Sequence, residues 1–411
     1  MSAANSVSRR MKVCIVQYNA SRYLTRVDRA ARALAEAGYD VVLVAIAEGD
    51  AALVERREGY VVKRVRLASR SWPRWTRPVR WVEAVVRTYA AASRERADVY
   101  NPRDIYPMLV AQLAAWRRGA LVVTDSDELN LYRNWPWTSA WWWRPLAKPY
   151  EGFFLRRAVA NITSDEGRAD VLVREYGIER PTVVLNVPDV FELGTRDEAF
   201  RRRYLGSRRY LLIYQGGLVP NRGLPELVRA MHDLPECALV LLGMGHLRDG
   251  LRALIDSEGL ADRVALLDAV PWPEMIRMTV ASDVGVIPIV DSCLSYRYAA
   301  PNKLFEDMMA AVPVVASDLP DMARIVREER VGTLIIPPVS EASIASAVRE
   351  LLNGEESLEA VGARARAVAL ERYNWPLERH KLLAVYEGLP IRVAGQSAST
   401  SDGSDSPAGS R

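Results

Sequence analysis

Histidine is scarce in this sequence: of 411 residues only His232, His246 and His380 are histidine, and none lies in the first half. Chemistry that rests on an imidazole in the N-terminal half is thereby excluded. No group of histidine, cysteine and carboxylate has metal-ligand spacing either, so a dedicated metal site is not expected. The three cysteines, Cys14, Cys237 and Cys293, are scattered and odd in number. That excludes a disulfide framework and fits reduced, structural thiols of a cytoplasm. No apolar run is long enough to span a bilayer. The start, MSAANSVSRRMKVCIVQ, lacks the apolar core of a signal peptide, because charge interrupts it until Met11 and the apolar run then ends at Gln17. Glycine is missing from residues 18–23, YNASRY, which follow the first apolar run. A dinucleotide fingerprint needs glycines there so that backbone can approach pyrophosphate, and a nicotinamide or flavin enzyme is disfavoured.

What the sequence does have is alternation. Lys12–Gln17 reads as a buried strand, Leu24–Ala37 as a helix closed by Gly38, and Val41–Ala45 and Val61–Leu67 as further strands. Strand, helix and strand at this pitch predict a parallel, doubly wound α/β sheet. Strands at Asp98–Tyr100 and Ala120–Thr124 flank residues 101–116, read as a helix. A second series starts at Tyr210–Tyr214 and continues through Ala238–Leu242, Val264–Leu267, Val284–Ile287, Val314–Ala316 and Thr333–Ile336. The length and the 49% apolar share allow two cores. The expected division is a first Rossmann-like domain over 1–190, a connection of mixed charge over 191–209, and a second Rossmann-like domain over 210–371. A final helix falls within 372–390, and the polar tail 391–411 reads as disordered. Charge is divided unevenly. Residues 1–205 carry 34 Lys and Arg against 24 Asp and Glu, a net +10, and residues 206–411 carry 21 against 27, a net −6. A basic first half suggests an anionic partner: nucleic acid, anionic lipid or a phosphorylated acceptor.

The most informative stretch runs from Pro301 to Asp318. Pro301 suits the first turn of a helix, and Leu304, Phe305, Met308 and Met309 recur at helical spacing. Glu306 lies one turn in and off that stripe, and Val314–Ala316 follows as a short buried strand. Backbone N–H groups at such a helix start can hold phosphate, and the carboxylate can accept from a sugar hydroxyl. An ordinary amphipathic helix has the same pattern, and the residues alone leave both readings even. The segment PNKLFEDMMAAVPVVASDLP resembles the donor-sugar segment of the retaining family-four (group 1) glycosyltransferases, whose usual form is close to KLFEYMAAGKPVVASD. The resemblance implies the B-type fold, in which two Rossmann-like domains face each other across a cleft and the last helix crosses back onto the first domain. It implies transfer from a nucleotide diphosphate sugar, UDP- or GDP-linked, with Glu306 on the donor ribose. The family's other glutamate, eight positions earlier, falls on Tyr298.

Two further stretches extend the resemblance. The strand Tyr210–Tyr214 leads into Gly216–Gly217, glycines that let backbone N–H groups approach a phosphate, and Arg222 can fork onto its oxygens. This loop is similar to the family's G-R-x-x-x-x-K-G, with Arg222 at the lysine position and Gly217 at the arginine position. The resemblance places the diphosphate on Gly216, Gly217, Arg222 and Lys303, the sugar phosphate on Asn302 and the backbone through Leu304, and the nucleobase against the turn Gly243–Met244–Gly245. In the first half, the turn Asp125–Glu128 ends a strand, where open α/β sheets hold ligands, although it reads equally as a solvated acidic turn. The family's usual D-x-H-E here implies that Asp127 stands where a histidine orients the acceptor and the transferred sugar. The acceptor is then expected near Tyr18, Asn19, Arg22, Asp125 and Glu128. Catalytic roles are expected of Asp127, Lys303 and Arg222, with no cofactor and no metal. Inverting enzymes of this fold commonly use a first-domain histidine as base. A first half without histidine suits retaining transfer, in which the leaving phosphate takes the proton and the protein positions and stabilises.

Tryptophan is concentrated as well. Only Trp272 and Trp375 of the 11 lie beyond residue 143, and Trp72, Trp75, Trp81, Trp135, Trp137, Trp141 and Trp143 sit among arginines. Such a mixture suits a membrane interface first, a closed core second, and stacking on single-stranded nucleic acid a distant third. The expected protein is a cytoplasmic retaining glycosyltransferase, peripheral on the inner membrane face, with a carbohydrate or lipid-linked acceptor and no nucleic-acid partner. Cell-surface polysaccharide or glycolipid synthesis would be its setting. The alternative is a degenerate domain that binds a nucleotide sugar or a protein partner without chemistry, suggested by Asp127, Tyr298 and Gly217.

Overall fold

Apolar runs buried on both faces become the strands of two sheets, each covered by amphipathic helices. The computed structural model describes residues 10–18, 25–73, 76–134 and 143–390. The tail 391–411, Asn19, Arg22, Trp75, Trp135, Trp137 and Trp141 lie outside the described residues.

The chain opens with β1 (Lys12–Val16), α1 (Thr25–Glu36), β2 (Asp40–Ile46), β3 (Val54–Arg57) and β4 (Tyr60–Val65). It continues through α2 (Arg77–Glu95), β5 (Val99–Pro102), α3 (Met108–Trp116), β6 (Leu121–Ser126) and α4 (Trp143–Leu155). β7 (Ala160–Thr163), α5 (Glu166–Tyr176) and β8 (Thr182–Val183) complete this domain. Its eight-stranded sheet has the order β3-β4-β2-β1-β5-β6-β7-β8. Val13 pairs with Val41 on one side and Val99 on the other, both in parallel. The direction of winding reverses between β1 and β5, so the crevice outside their carboxyl ends is where a ligand is accommodated.

The second domain contains α6 (Glu198–Leu205), β9 (Tyr210–Gln215), α7 (Leu224–Ala230), β10 (Cys237–Leu242), α8 (Arg248–Ser257) and β11 (Val264–Leu267). After these come α9 (Trp272–Val280), β12 (Val284–Ile287), α10 (Leu294–Arg297), α11 (Asn302–Met309), β13 (Val314–Ser317), α12 (Pro320–Glu329) and β14 (Gly332–Ile335). The six-stranded parallel sheet runs β11-β10-β9-β12-β13-β14, with its switch point between β9 and β12. α13 (Glu341–Leu352), α14 (Leu358–Arg372) and α15 (Trp375–Glu387) close the chain. Trp375, Leu382 and Tyr386 of α15 are buried in the first domain's core beside Val27, Leu34 and Val184. Glu378, fully buried, accepts the Leu185 N–H at 2.8 Å.

Three local expectations are corrected. Residues 54–57 carry no strand signal in the sequence, yet they form β3, a hairpin with β4 across Glu58–Gly59 and, among the described residues, the one antiparallel pair in the first sheet. Its residues, VERR, carry too little apolar signal to mark a strand, and pairing with β4 creates it. The helix expected over 101–116 begins only at Met108, because Asn101 and Pro102 stay in β5 and Asp104 has φ +64°. The expected connection 191–209 contains α6, whose Phe200 is buried against Leu211, Ile213 and Val240 of the second sheet. Scattered charge along its solvent side masks a helix held by one aromatic anchor.

Candidate active site

The two switch points face each other, and between them lies a cavity of about 450 Å³. The first domain contributes Arg26, Asp127, Glu128, Ser164, Asp165 and Arg168 to its wall, and the second contributes Gln215, Gly216, Gly217, Arg222, Tyr296 and residues 299–303 with Glu306.

On the second-domain side, Pro301 precedes α11 in an extended conformation, and the helix turns Lys303 and Glu306 to the cavity while Leu304, Phe305, Met308 and Met309 sink into the core. Lys303 crosses the Tyr214 ring with its ammonium 3.7 Å from the centroid. Burial and the neighbouring Arg222 hold its pKa well below the ordinary value. Arg222 stacks on Tyr296 at 4.5 Å. Both cations are thus supported by aromatic faces, which leaves their N–H groups for an anion. Glu306 accepts from Trp272 Nε1 at 3.2 Å and from Gln215 Nε2 at 3.4 Å. Burial pushes its carboxyl up, opposed by Trp272, Arg29 and Lys303. A smaller recess of about 200 Å³ shares Glu306 and is lined by Asp28, Arg29, Arg32, Asp189 and Trp272.

Three of the expected donor residues stand apart from this wall. Gly243, Met244 and Gly245 are not among the residues that line the cavity; Met244 is exposed, and the Leu218 N–H donates to its carbonyl at 2.9 Å. A Cβ on Gly243 would lie 1.8 Å from the Gly216 carbonyl, so glycine here serves the crossing of two loops. Leu304 is also corrected: its side chain is fully buried in the core and its N–H is taken by the Pro301 carbonyl at 2.9 Å. Gly216, Gly217, Arg222, Asn302, Lys303 and Glu306 do converge on the cavity.

On the first-domain side the acidic turn is neutralised from within. Asp127 is half-buried and receives Arg103 at 2.6 Å and Arg26 at 2.5 Å. Burial alone would raise its carboxyl, but the guanidiniums of Arg103 and Arg26 hold it below the usual range. Asp125, expected to meet the acceptor, is instead buried beneath, bonded to Arg103 and to Arg26. Asp125 lies within β6, which is buried on both faces, whereas Asp127 follows the end of that strand and reaches the cavity. Glu128 lines the wall and pairs with Arg133 at 2.5 Å. Tyr18 does not line the cavity: it packs beside Val85 and Tyr89, and its hydroxyl accepts from Thr88 at 3.3 Å.

The sequence reading missed Arg26, Arg103, Arg168, Asp165, Gln215 and Trp272. Arg103 and Gln215 sit at the carboxyl ends of β5 and β9, beside the switch points, and a polar residue ending an apolar strand was their signal. Others form a seam between the domains. Asp165 accepts the Ala300 N–H at 2.8 Å, Arg168 donates to the Ser295 carbonyl at 3.1 Å, and Gly167 N–H donates to Asp321 at 3.1 Å. Tyr298 is in this seam and not on the cavity wall, with its ring so close that a Cβ on Gly167 would lie 2.1 Å away. It therefore joins the domains where the family's pattern has a glutamate.

Comparison with known proteins gives concordant results. The chain is 30% identical over 192 residues to a phosphatidyl-myo-inositol mannosyltransferase of Mycobacterium leprae, covering 43% of this chain and 46% of that protein. It spans about half the length of the curated relatives it matches. Among solved structures, sucrose-phosphate synthase from Thermosynechococcus elongatus superposes with a TM-score of 0.76 at 17% identity, over 92% of this chain and 98% of that one. HepE of Anabaena, solved with UDP-glucose, gives 0.72 at 16% identity over 92% and 100%. Both share the two-domain B-type fold, and at such identity they speak for the fold alone. The family model for Glycosyltransferase Family 4 matches residues 25–190, and that for Glycosyl transferases group 1 matches residues 195–368. With one model on each domain and the two together running almost without a break, the chain belongs to the group 1, family-four glycosyltransferases.

Proposed function

We propose that this protein is a retaining, metal-independent glycosyltransferase that moves a sugar from a UDP- or GDP-sugar to an acceptor hydroxyl. The observation that carries this is the convergence of Lys303, Arg222, Glu306 and the Gly216–Gly217 loop on one interdomain cavity. Lys303 and Arg222 supply the positive charge that a leaving diphosphate needs, and both stand ready on aromatic faces. Glu306 takes the ribose hydroxyls. On the opposite wall Asp127 is held ionised between two arginines and serves to orient sugar or acceptor hydroxyls. The leaving phosphate then accepts the acceptor proton. Support for a nucleotide-sugar donor comes from the relatives, among them a GDP-mannose-dependent mannosyltransferase of Mycobacterium tuberculosis. The test is incubation with UDP- and GDP-sugars and a panel of acceptors, with the product anomer read by NMR. An inverted anomer overturns the retaining mechanism, and an activity abolished by chelators and restored by metal overturns metal independence.

The same reading places the protein peripherally on the inner membrane face, with a lipid-linked or carbohydrate acceptor of cell-surface glycolipid or polysaccharide synthesis. Among the described residues no helix is long and apolar enough to cross a membrane. On the first domain Trp72, Val79, Trp81, Val82 and Val86 are 45–58% exposed, and Leu146 is 67% exposed. Trp81 and Leu146 also line an apolar groove of about 340 Å³, together with Ile105, Tyr106, Trp143, Ala147 and Tyr150. Trp72 and Trp81 are therefore not core residues, and Arg80, Arg87, Arg144 and Lys148 accompany them. The phosphatidyl-myo-inositol in the name of the Mycobacterium leprae relative is consistent with such a surface. A second reading, a domain that binds a nucleotide sugar without chemistry, draws on Tyr298, which lies in the seam and not on the cavity wall. Donor hydrolysis or transfer by the wild-type protein excludes it.

A further inference from the structure

Glu306 lines the cavity, its neighbour Asp307 is buried behind it, and one amide serves both carboxyl groups. Gln215, the last residue of β9, is 2% exposed. Its Nε2 lies 3.1 Å from Asp307 Oδ1 and 3.4 Å from Glu306 Oε2. Its Oε1 accepts the hydroxyl of Thr279, itself fully buried, at 2.7 Å. The orientation of the amide follows from charge: turned over, its oxygen would face two carboxylates. Both N–H groups are thus committed to carboxylate oxygens, and no donor of Gln215 remains for a ligand. On the other side, Trp272 Nε1 donates to Glu306 Oε1 at 3.2 Å. Each oxygen of Glu306 is therefore held by one neutral donor. Each also keeps acceptor capacity, and the carboxylate lines the cavity.

We propose that Gln215 is a positioning residue for donor recognition: it fixes Glu306 so that each carboxylate oxygen accepts one hydroxyl of a vicinal diol. The proposal rests on the assignment of Glu306 to the donor ribose. Thr279 sets the amide and Gln215 sets the carboxylate, so the order runs from α9 through β9 to α11. Neutral donors suit this task better than a cation, because an ion pair would compete with the incoming hydroxyls for the same lone pairs. Asp307 shares the amide and is wedged against Gly285, where a Cβ would lie 2.2 Å from its carboxylate oxygen. Buried there, it acts as the second anchor of Gln215.

The experiment is calorimetric titration of the full chain with UDP and 2′,3′-dideoxy-UDP, and with the corresponding GDP pair, in wild type, Gln215→Leu and Thr279→Val. Hydrogen bonds to a charged group are worth about 1.5–3 kcal/mol, so wild type should prefer its ribonucleotide over the dideoxy analogue by about tenfold or more. The preference should fall below about threefold in Gln215→Leu, with affinity for the dideoxy analogue little changed, because the diphosphate contacts remain. Thr279→Val leaves both carboxylates and the amide in place but frees the amide to turn, and should reduce the preference partway. It decides the matter should Gln215→Leu fail to fold. A wild type that discriminates, with both variants discriminating equally, overturns the role of Gln215 and leaves Glu306 on the ribose. A wild type that binds neither nucleotide, or binds ribo- and dideoxy forms alike, overturns the assignment of Glu306 and the proposal with it.

Discussion

Glu306 is a buried carboxylate served by neutral donors, and that setting decides how its removal will be felt. It makes no ion pair within 4 Å among the described residues, so Glu306→Ala leaves no cation stranded by a broken pair. Losing bonds of about 1.5–3 kcal/mol each, the variant should keep its fold and lose tenfold to more than a hundredfold in kcat/KM, read alongside Tm. Wild-type kinetics in a folded Glu306→Ala variant would remove it from the donor site. Asp127 behaves differently. It shares two buried arginines with Asp125, and removing the charge leaves Arg26 and Arg103 with one carboxylate between them. Breaking one member of a buried network costs on the order of 3 kcal/mol, so Asp127→Asn should lower Tm visibly. Turnover should also drop more than donor affinity. Weakened donor binding with unchanged kcat would contradict an orienting role.

At the scale of elements, α2 is the helix whose two sides differ most. Ala84, Thr88 and Ala92 are buried against the sheet, while Val79, Val82 and Val86 are half or more exposed. An apolar outer face in a helix flanked by arginine suits the headgroup region of an anionic leaflet, where each basic residue contributes about 1 kcal/mol. Vesicles containing anionic lipid should therefore sediment the protein at low salt and release it at high salt. Val82→Asp with Val86→Asp should abolish sedimentation while leaving Tm within a few degrees, since neither side chain packs in the core. Trp81→Ala should weaken it in the same assay. Wild type that stays in the supernatant at low salt would mean that the apolar face meets another surface and that the acceptor is soluble.

For the molecule as a whole, the seam between the domains carries a titrating group. Asp321 accepts the Gly167 N–H, and burial, then the nearby Asp165, pushes its carboxyl up to about 6 from an ordinary 3.8. A pKa raised in the closed arrangement means that closing takes up a proton. The gain is full below the open-state value and is lost as pH rises through about 6. A shift of about two units corresponds to roughly 3 kcal/mol before solvent screening, enough to move a domain equilibrium. The radius of gyration measured by small-angle scattering should accordingly be smaller at pH 5 than at pH 8 at constant salt. Asp321→Asn should remove most of that difference. A wild-type radius independent of pH would show that the seam is held by its other contacts, Asp165 to Ala300 and Arg168 to Ser295, regardless of Asp321.

The sequence by itself determined the parts of this protein that depend on neighbours in the chain. Apolar runs of four to six residues marked the buried parallel strands, and the helical stripe at Leu304, Phe305, Met308 and Met309 turned Lys303 and Glu306 outward whatever surrounded them. The glycines at 216 and 217 and the motif from 301 to 320 marked the second-domain wall of the cavity for the same reason. Only the tertiary structure decided which charges meet. Gln215 and Asp307 are 92 residues apart, and Arg26 and Asp125 are 99 apart, so their pairing depends on which strand ends lie at the switch points. The same holds for the first domain's +10: a count of charges cannot show that Arg26 and Arg103 are spent on Asp125 and Asp127 inside the fold. Nor can it show that Tyr298 faces Gly167 across the domains. Electrostatic partners are set by distance in space, and burial removes the water that would otherwise make those partners interchangeable.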